Sequence, residues 1–126
     1  CKAIKIKPDL AEAHSNLGYL FKALGKLREA EVSLRKAIDI KPDYANAYYN
    51  LGNILIDLGK LQEAEVSLRK AIDIKSDYAE AYYNLGNILR ILGKLEEAKL
   101  CSEKIISKRS WSILGSYSFN REMKLD

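Results

Sequence analysis

Apolar residues recur along this chain at spacings of three and four positions, in stretches that glycines separate. In the stretch "ANAYYNLGNILIDL", residues 45–58, the apolar residues that fall on one side of a helix are Ala47, Leu51, Ile54, Leu55 and Leu58. In the stretch "LQEAEVSLRKAIDI", residues 61–74, the residues that fall on one side of a second helix are Leu61, Ala64, Leu68, Ala71 and Ile72. Gly59 lies between them, and glycine readily adopts the left-handed conformation that ends a helix. The pattern predicts two amphipathic helices joined by a short turn.

This pair of helical stretches is repeated almost word for word. The segment "GKLREAEVSLRKAIDIKPDYA", residues 25–45, returns as "GKLQEAEVSLRKAIDIKSDYA", residues 59–79, with only two positions changed. Three copies follow one another at residues 11–44, 45–78 and 79–112. Residues 1–10, "CKAIKIKPDL", match "RKAIDIKPDY" and are interpreted as the end of a preceding repeat. Residues 113–126 leave the pattern, and two alternatives stand for this end: a capping helix that packs through Trp111, Leu114 and Tyr117, or a tail.

Signals for the starts and ends of helices accompany each copy. An aspartate precedes each predicted first helix, at Asp9, Asp43 and Asp77. Glu12 and Glu80 lie three residues after two of these aspartates, the spacing of a capping box. Pro8 and Pro42 are predicted to stop the preceding helix, because proline lacks an N–H and clashes with the turn before it. Ser76 takes the place of this proline once and is predicted to loosen the turn.

Small residues at fixed places indicate how the two helices of a copy pack. The positions that lack a bulky side chain are Gly18, Gly52 and Gly86 on the first helices, and Ala30, Ala64 and Ala98 on the second. Such residues allow two antiparallel helices to approach closely. A single helical pair cannot bury its apolar side alone, so each copy needs its neighbour. The sequence therefore predicts an all-α solenoid of stacked helix-turn-helix repeats.

The order of these residues resembles the tetratricopeptide repeat (TPR) family. The family's pattern is a large residue, then Leu-Gly, two alanines and a proline. The first copy matches it at His14, Leu17, Gly18, Ala30, Ala37 and Pro42. The second copy matches it at Tyr48, Leu51, Gly52, Ala64 and Ala71. The third copy matches at Tyr82, Leu85, Gly86 and Ala98, and departs with Ile105 and Ser110. The resemblance implies a right-handed solenoid whose first helices line a concave groove.

The composition offers little for catalysis or for metal binding. The chain has one histidine, His14, which stands where the other repeats carry a tyrosine, and its two cysteines, Cys1 and Cys101, form no metal or redox motif. No cofactor, metal ion or enzymatic activity is expected, and the thiols favour the cytoplasm. The net charge is only +4, and the basic residues alternate with Glu and Asp along most of the chain. Nucleic-acid binding is not expected, and neither a membrane span nor a membrane partner is expected, since no long apolar run is present.

The groove that the resemblance implies is where TPR proteins usually hold partner peptides. The candidate binding residues here are Asn16, Tyr19, Asn46, Tyr49, Asn50, Asn53, Tyr83, Asn84, Asn87 and Arg90. A primary amide donates and accepts, so it can bind both the N–H and the C=O of an extended peptide. The asparagine series looks like the one that lines the repeats of O-linked N-acetylglucosamine transferases. The alternative is that these amides tie neighbouring helices together.

The family's clamp for the carboxylate of a chaperone tail is not expected. Its asparagines match at Asn50 and Asn87, but its basic positions hold Glu12, Ser15, Asn46, Tyr49, Glu80 and Tyr83. Without cations, the charge-assisted hydrogen bonds of such a clamp are lost.

The function predicted from the sequence is a non-catalytic scaffold that binds a protein or an extended peptide. Two alternatives stay open at this point. The chain is the targeting or substrate-recognition segment of a larger transferase, or it is a structural module that associates with itself end to end.

Overall fold

A computed structural model describes the backbone of residues 2–105 and the side chains of residues 10–105. The described helices are α1 (Lys2–Ala23), α2 (Leu27–Ile40), α3 (Ala45–Asp57), α4 (Leu61–Ile74), α5 (Ala79–Ile91) and α6, which covers residues 95–105. No strand occurs between residues 2 and 105. The predicted packing of Trp111, Leu114 and Tyr117 falls outside the described residues.

The helices form stacked hairpins. α1 packs on α2 and α3 packs on α4, while α2 also packs on α3 and α4 on α5, so α2 and α4 each lie between two first helices. One core runs through the stack and includes Leu34, Leu55, Leu68 and Leu89, each no more than 1% exposed. The prediction of an all-helical protein built from helix-turn-helix repeats is confirmed.

Gly59 ends α3 as the sequence predicts. Its φ of 79° is left-handed, and the Lys60 N–H donates to the Leu55 carbonyl over 2.8 Å. The Gly59 N–H donates to the Ile56 carbonyl over 2.9 Å. These two bonds make a Schellman motif, which satisfies carbonyls at the helix end and turns the chain back.

The starts of the first helices differ from the prediction. The N-cap residues of α3 and α5 are Tyr44 and Tyr78, and neither helix has a side-chain cap hydrogen bond. Asp43 and Asp77 are therefore not caps, and the capping box expected for Glu80 does not form. The turn is held instead by the backbone, where the Tyr78 N–H donates to the Lys75 carbonyl over 3.2 Å, and by burial of the Tyr78 ring, which is 7% exposed.

The prediction that Pro8 ends one helix and that Asp9 caps the next is wrong. α1 is one continuous helix from Lys2 to Ala23 and includes both residues. Leu10 stands at the repeat position of Tyr44 and Tyr78 but is 44% exposed, so no buried ring anchors a turn there. The missing N–H of Pro8 removes one helical hydrogen bond.

Ion pairs join each second helix to the repeat that follows it. Glu65 binds Arg69 over 2.9 Å and the Lys94 ammonium of the next repeat over 3.1 Å. Glu31 repeats this arrangement, with Arg35 at 2.9 Å and Lys60 at 3.3 Å. Burial raises the pKa of Glu65, but its hydrogen bonds and the charges of Arg69 and Lys94 outweigh burial and lower that pKa below 4.5.

The close approach of paired helices at glycine is confirmed, but it is not equal in the three repeats. A Cβ at Gly18 or Gly52 would lie 2.7 or 2.8 Å from the Cγ atom of Leu34 or Leu68. At Gly86 the nearest atom is the Cβ of Cys101 at 3.4 Å, an ordinary contact. The third repeat is looser because it has Ser102 where the other repeats have a fully buried leucine.

We expect Gly52→Ala to lower the free energy of unfolding by about 1–2 kcal/mol, because overpacking against Leu68 exceeds the gain of about 1 kcal/mol in helix propensity. Gly86→Ala is the matched control and should leave stability unchanged or raise it. Urea unfolding followed by circular dichroism measures both variants. Equal destabilisation by the two substitutions would contradict the difference in packing.

We expect Glu65→Gln to destabilise the protein by about 1–2 kcal/mol at neutral pH, because it removes the negative charge of a buried carboxylate that binds the two cations Arg69 and Lys94. The folded-state pKa of Glu65 is lowered, so its contribution is present above 4.5 and is lost as the pH falls through that lowered pKa. The difference from the wild type should therefore shrink in acid. Glu63→Gln is the control, because Glu63 is an exposed partner of Arg35. A difference in stability between Glu65→Gln and the wild type that persists below the lowered pKa would refute the role of the charge.

Candidate functional site on the first helices

The first helices α1, α3 and α5 lie side by side along one surface of the stack. α1 contacts α3, and α5 is joined to α3 by side-chain hydrogen bonds. The Asn84 Nδ2 donates to the Asn53 Oδ1 over 2.6 Å and lies 3.4 Å from the Tyr49 hydroxyl. Three predicted site residues from two repeats therefore meet at one place.

A tyrosine that the sequence reasoning missed supports this surface. The Tyr78 hydroxyl donates to the Asn46 Oδ1 over 3.1 Å, and the Tyr78 and Tyr49 rings lie with their centroids 5.0 Å apart. Burial, with smaller effects of Tyr49 and Glu80, raises the pKa of Tyr78 to about 12. The signal was present in the sequence, because an aromatic residue closes each of the first two repeats, at Tyr44 and Tyr78.

A cleft of about 340 Å³ opens between α3 and α5. Its lining combines amides, isoleucines and two opposite charges, from Lys22, Asn53, Ile56, Asp57, Asn84, Asn87, Ile88 and Ile91. Arg90 donates to the Asn87 Oδ1 at its edge. The cleft thus offers hydrogen-bonding groups beside aliphatic surface, the combination expected where a peptide side chain lies next to its own backbone.

The helices that line the cleft also expose large aromatic and aliphatic side chains. Tyr83 is 62% exposed and Ile91 is 67% exposed, while Tyr19 on α1 is 65% exposed. Tyrosine contributes large contact area at low entropic cost, which is why it is frequent at binding surfaces.

The structure does not join every predicted residue to this cluster. Asn16 on α1 is exposed, and no side-chain hydrogen bond within the described part of the chain connects it to α3. Asn50 is half-buried and likewise has no side-chain hydrogen bond to the described residues. Ser15, which occupies a clamp position, is only 3% exposed and lies within the hairpin. Asn53 and Asn84 do hydrogen-bond to each other between α3 and α5, as in the alternative that the amides tie neighbouring helices together.

The described part of the chain presents no other centre of chemistry. No group of three potential metal ligands occurs between residues 10 and 105. None of the described helices combines the length and the apolarity that a membrane crossing requires. Burial raises the pKa of Cys101, a buried thiol, which makes it a poorer nucleophile.

Comparisons with known proteins agree on one family. The model of the TPR repeat matches residues 18–56 and 52–93. The second TPR domain of Spaghetti (RPAP3), solved with the HSP90 peptide SRMEEVD, is 26% identical with a TM-score of 0.79, over 84% of this chain and 97% of that one. Its first TPR domain, solved with the same peptide, is 27% identical with a TM-score of 0.76, over 79% of each chain.

A third similar structure is MamA, which is 33% identical with a TM-score of 0.75, over 84% of this chain and 62% of that one. This chain therefore spans less than two thirds of MamA. No curated protein matches the sequence. The repeated hairpins, the glycine contacts and the family match lead to one conclusion: the chain belongs to the tetratricopeptide repeat family.

Proposed function

We propose that this chain is a non-catalytic interaction module that binds an extended peptide along the surface of α1, α3 and α5. The observation that carries this proposal is the cleft between α3 and α5, which Asn53, Asn84 and Asn87 line together with the exposed Ile91. The two TPR domains of Spaghetti support it, because each was solved with a peptide.

The asparagine pair supports recognition of peptide backbone. The bond from Asn84 to Asn53 uses one amide donor and one carbonyl acceptor. It leaves the Asn84 Oδ1 as an acceptor and the Asn53 Nδ2 as a donor. A peptide unit needs one partner of each kind, so the same pair that ties α3 to α5 offers a complement to an extended backbone.

We also propose that the peptide is not an acidic chaperone tail. Glu12 and Glu80 occupy basic positions of that clamp, and Ser15 at another is buried. A glutamate at such a position repels the carboxylates of the tail, whereas a basic residue there attracts them through charge-assisted hydrogen bonds.

The asparagine series at Asn16, Asn50 and Asn84 supports a second form of the proposal. Its resemblance to the repeats of O-linked N-acetylglucosamine transferases fits a substrate-recognition segment of a larger transferase. In that case the same surface binds the protein substrate of the enzyme, and backbone recognition explains tolerance of many sequences.

A peptide ligand is first selected from a displayed random library. We expect Asn50→Ala and Asn84→Ala each to lower the affinity for this peptide by about tenfold, since one lost hydrogen-bonding group costs about 1–2 kcal/mol. Calorimetry with the synthetic peptide measures the affinity, and circular dichroism checks helicity. Gln62→Ala removes an exposed amide at the start of α4, away from this surface, and should have no effect. Unchanged affinity in both asparagine variants would remove the amides from the site.

We expect the peptide SRMEEVD to show no saturable binding at micromolar concentrations in a fluorescence polarisation titration. Glu12→Lys combined with Glu80→Lys should increase its affinity, because both positions are exposed and become cationic. Tight binding by the unmodified chain, lost when the C-terminal carboxylate of the peptide is amidated, would show that a clamp exists after all.

A further inference from the structure

The surface of the first helices carries charges of opposite sign at its two margins. Each margin is formed by one repeat position on α1, α3 and α5. The acidic margin consists of Glu12, Asn46 and Glu80. The basic margin consists of Lys22, Ile56 and Arg90. Each margin therefore has two like charges with a neutral residue between them.

The four charges of the margins are available to a ligand. Glu12, Glu80, Lys22 and Arg90 are exposed, and none of them forms an ion pair within residues 10–105. Arg90 donates to a neutral amide, which leaves its charge uncompensated. Asp57 lines the same cleft as Lys22, but it offsets only one of the two cations.

The two margins are separated by the width of an extended peptide with its side chains. Ten residues separate Glu80 from Arg90, and at 1.5 Å per residue the margins lie about 15 Å apart. The amides of Asn53 and Asn84 lie between them on α3 and α5. The helix dipole favours an acid in the first turn of α5 and a base in its last turn, so this arrangement is compatible with a stable helix.

An extended peptide that is bound through its backbone directs its side chains to the two margins in turn. In the proposed function, the Asn84 Oδ1 and the Asn53 Nδ2 bind the N–H and C=O groups of the peptide. These groups stand at right angles to the side chains, which point alternately to opposite sides of an extended chain. Odd-numbered residues of the peptide therefore face one margin, and even-numbered residues face the other.

The distance between charges along the surface preserves this alternation. Packed helices lie about 8–10 Å apart and an extended chain advances about 3.3 Å per residue, so about three peptide residues cross each first helix. Glu12 and Glu80 are two first helices apart, which corresponds to about six peptide residues. Since six is an even number, two peptide residues with this spacing face the same margin.

We propose that this surface selects peptides of mixed charge, with basic residues on the side that faces the acidic margin and acidic residues on the side that faces the basic margin. Between the charges, the complement is a polar residue opposite Asn46 and an aliphatic residue opposite Ile56. The inference rests on the proposed function, because it requires the peptide backbone to lie on the amides. It adds the class of sequence, which backbone contacts alone leave open.

The test uses two synthetic peptides of the same composition, KETVTVKE and KETVTVEK, each with a fluorescent label at the N-terminus and an amidated C-terminus. In the first peptide both lysines lie on one side and both glutamates on the other. Exchange of the last two residues puts one lysine and one glutamate on each side, so no rotation or reversal of the peptide separates the charges.

We expect the full chain to bind KETVTVKE about tenfold more tightly than KETVTVEK at low salt, because two exposed ion pairs are gained and two repulsions are avoided. Fluorescence polarisation measures both affinities. The difference should shrink at about 1 M salt, which screens exposed charges.

Glu80→Lys combined with Arg90→Glu exchanges the charges of the third repeat, so each margin then carries one acid and one base. We expect the preference to invert in favour of KETVTVEK. Lys70→Glu combined with Asp73→Lys is the matched control, because it exchanges two exposed charges on α4, away from the first helices. This control should keep the original preference, and circular dichroism should show the same helicity for both variants.

Inversion of the preference in the first variant, with no change in the control, supports the inference. Equal affinities of the unmodified chain for the two peptides overturn it, and so does a preference that the exchange of charges in the third repeat leaves unchanged. If neither peptide binds but a peptide selected from the displayed library does, the inference is wrong and the proposed function stands. If the library also yields no ligand, both are wrong.

Discussion

The structure depends on one constraint: a helical hairpin of this sequence can bury only one side by itself, and a neighbouring hairpin must cover the other. Ala47, Leu51 and Ile54 of α3 are no more than 3% exposed because α2 lies over them. The burial of an aliphatic side chain contributes about 1.5–3 kcal/mol, so each interface between hairpins adds several such terms. Stability is then nearly a sum over neighbours, which explains why the repeats keep the same residues.

The same constraint creates the candidate site. Because the first helices pack on the second helices between them, this stacking sets the separation between one first helix and the next. That separation brings Asn84 within 2.6 Å of Asn53 and opens a cleft beside them. On the second helices, Glu31 and Glu65 form ion pairs with the repeat that follows, and these ion pairs also hold neighbouring hairpins together. The groove is therefore a consequence of regular stacking, and its chemistry is set by the few positions that packing leaves free to vary.

Most of the fold could be predicted from the sequence, since apolar spacing and the repeat determine which sides of the helices must meet. The glycine at the end of α3 was predictable because its left-handed backbone has a local cause. The roles of Asp43 and Pro8 were not, because those predictions used local preferences where tertiary packing decides. A tyrosine ring packs at the turn before α3 and α5, half-buried at Tyr44 and buried at Tyr78, and where Leu10 replaces it the helix continues through proline.

The candidate site was predictable in its residues but not in their connections. The sequence places Asn53 and Asn84 on first helices, yet whether two amides bond to each other depends on the distance between helices, which no local pattern encodes. The sequence reasoning missed Tyr78 because its repeat position is that of a turn residue, whereas its hydroxyl reaches Asn46 on the first helix of the same repeat.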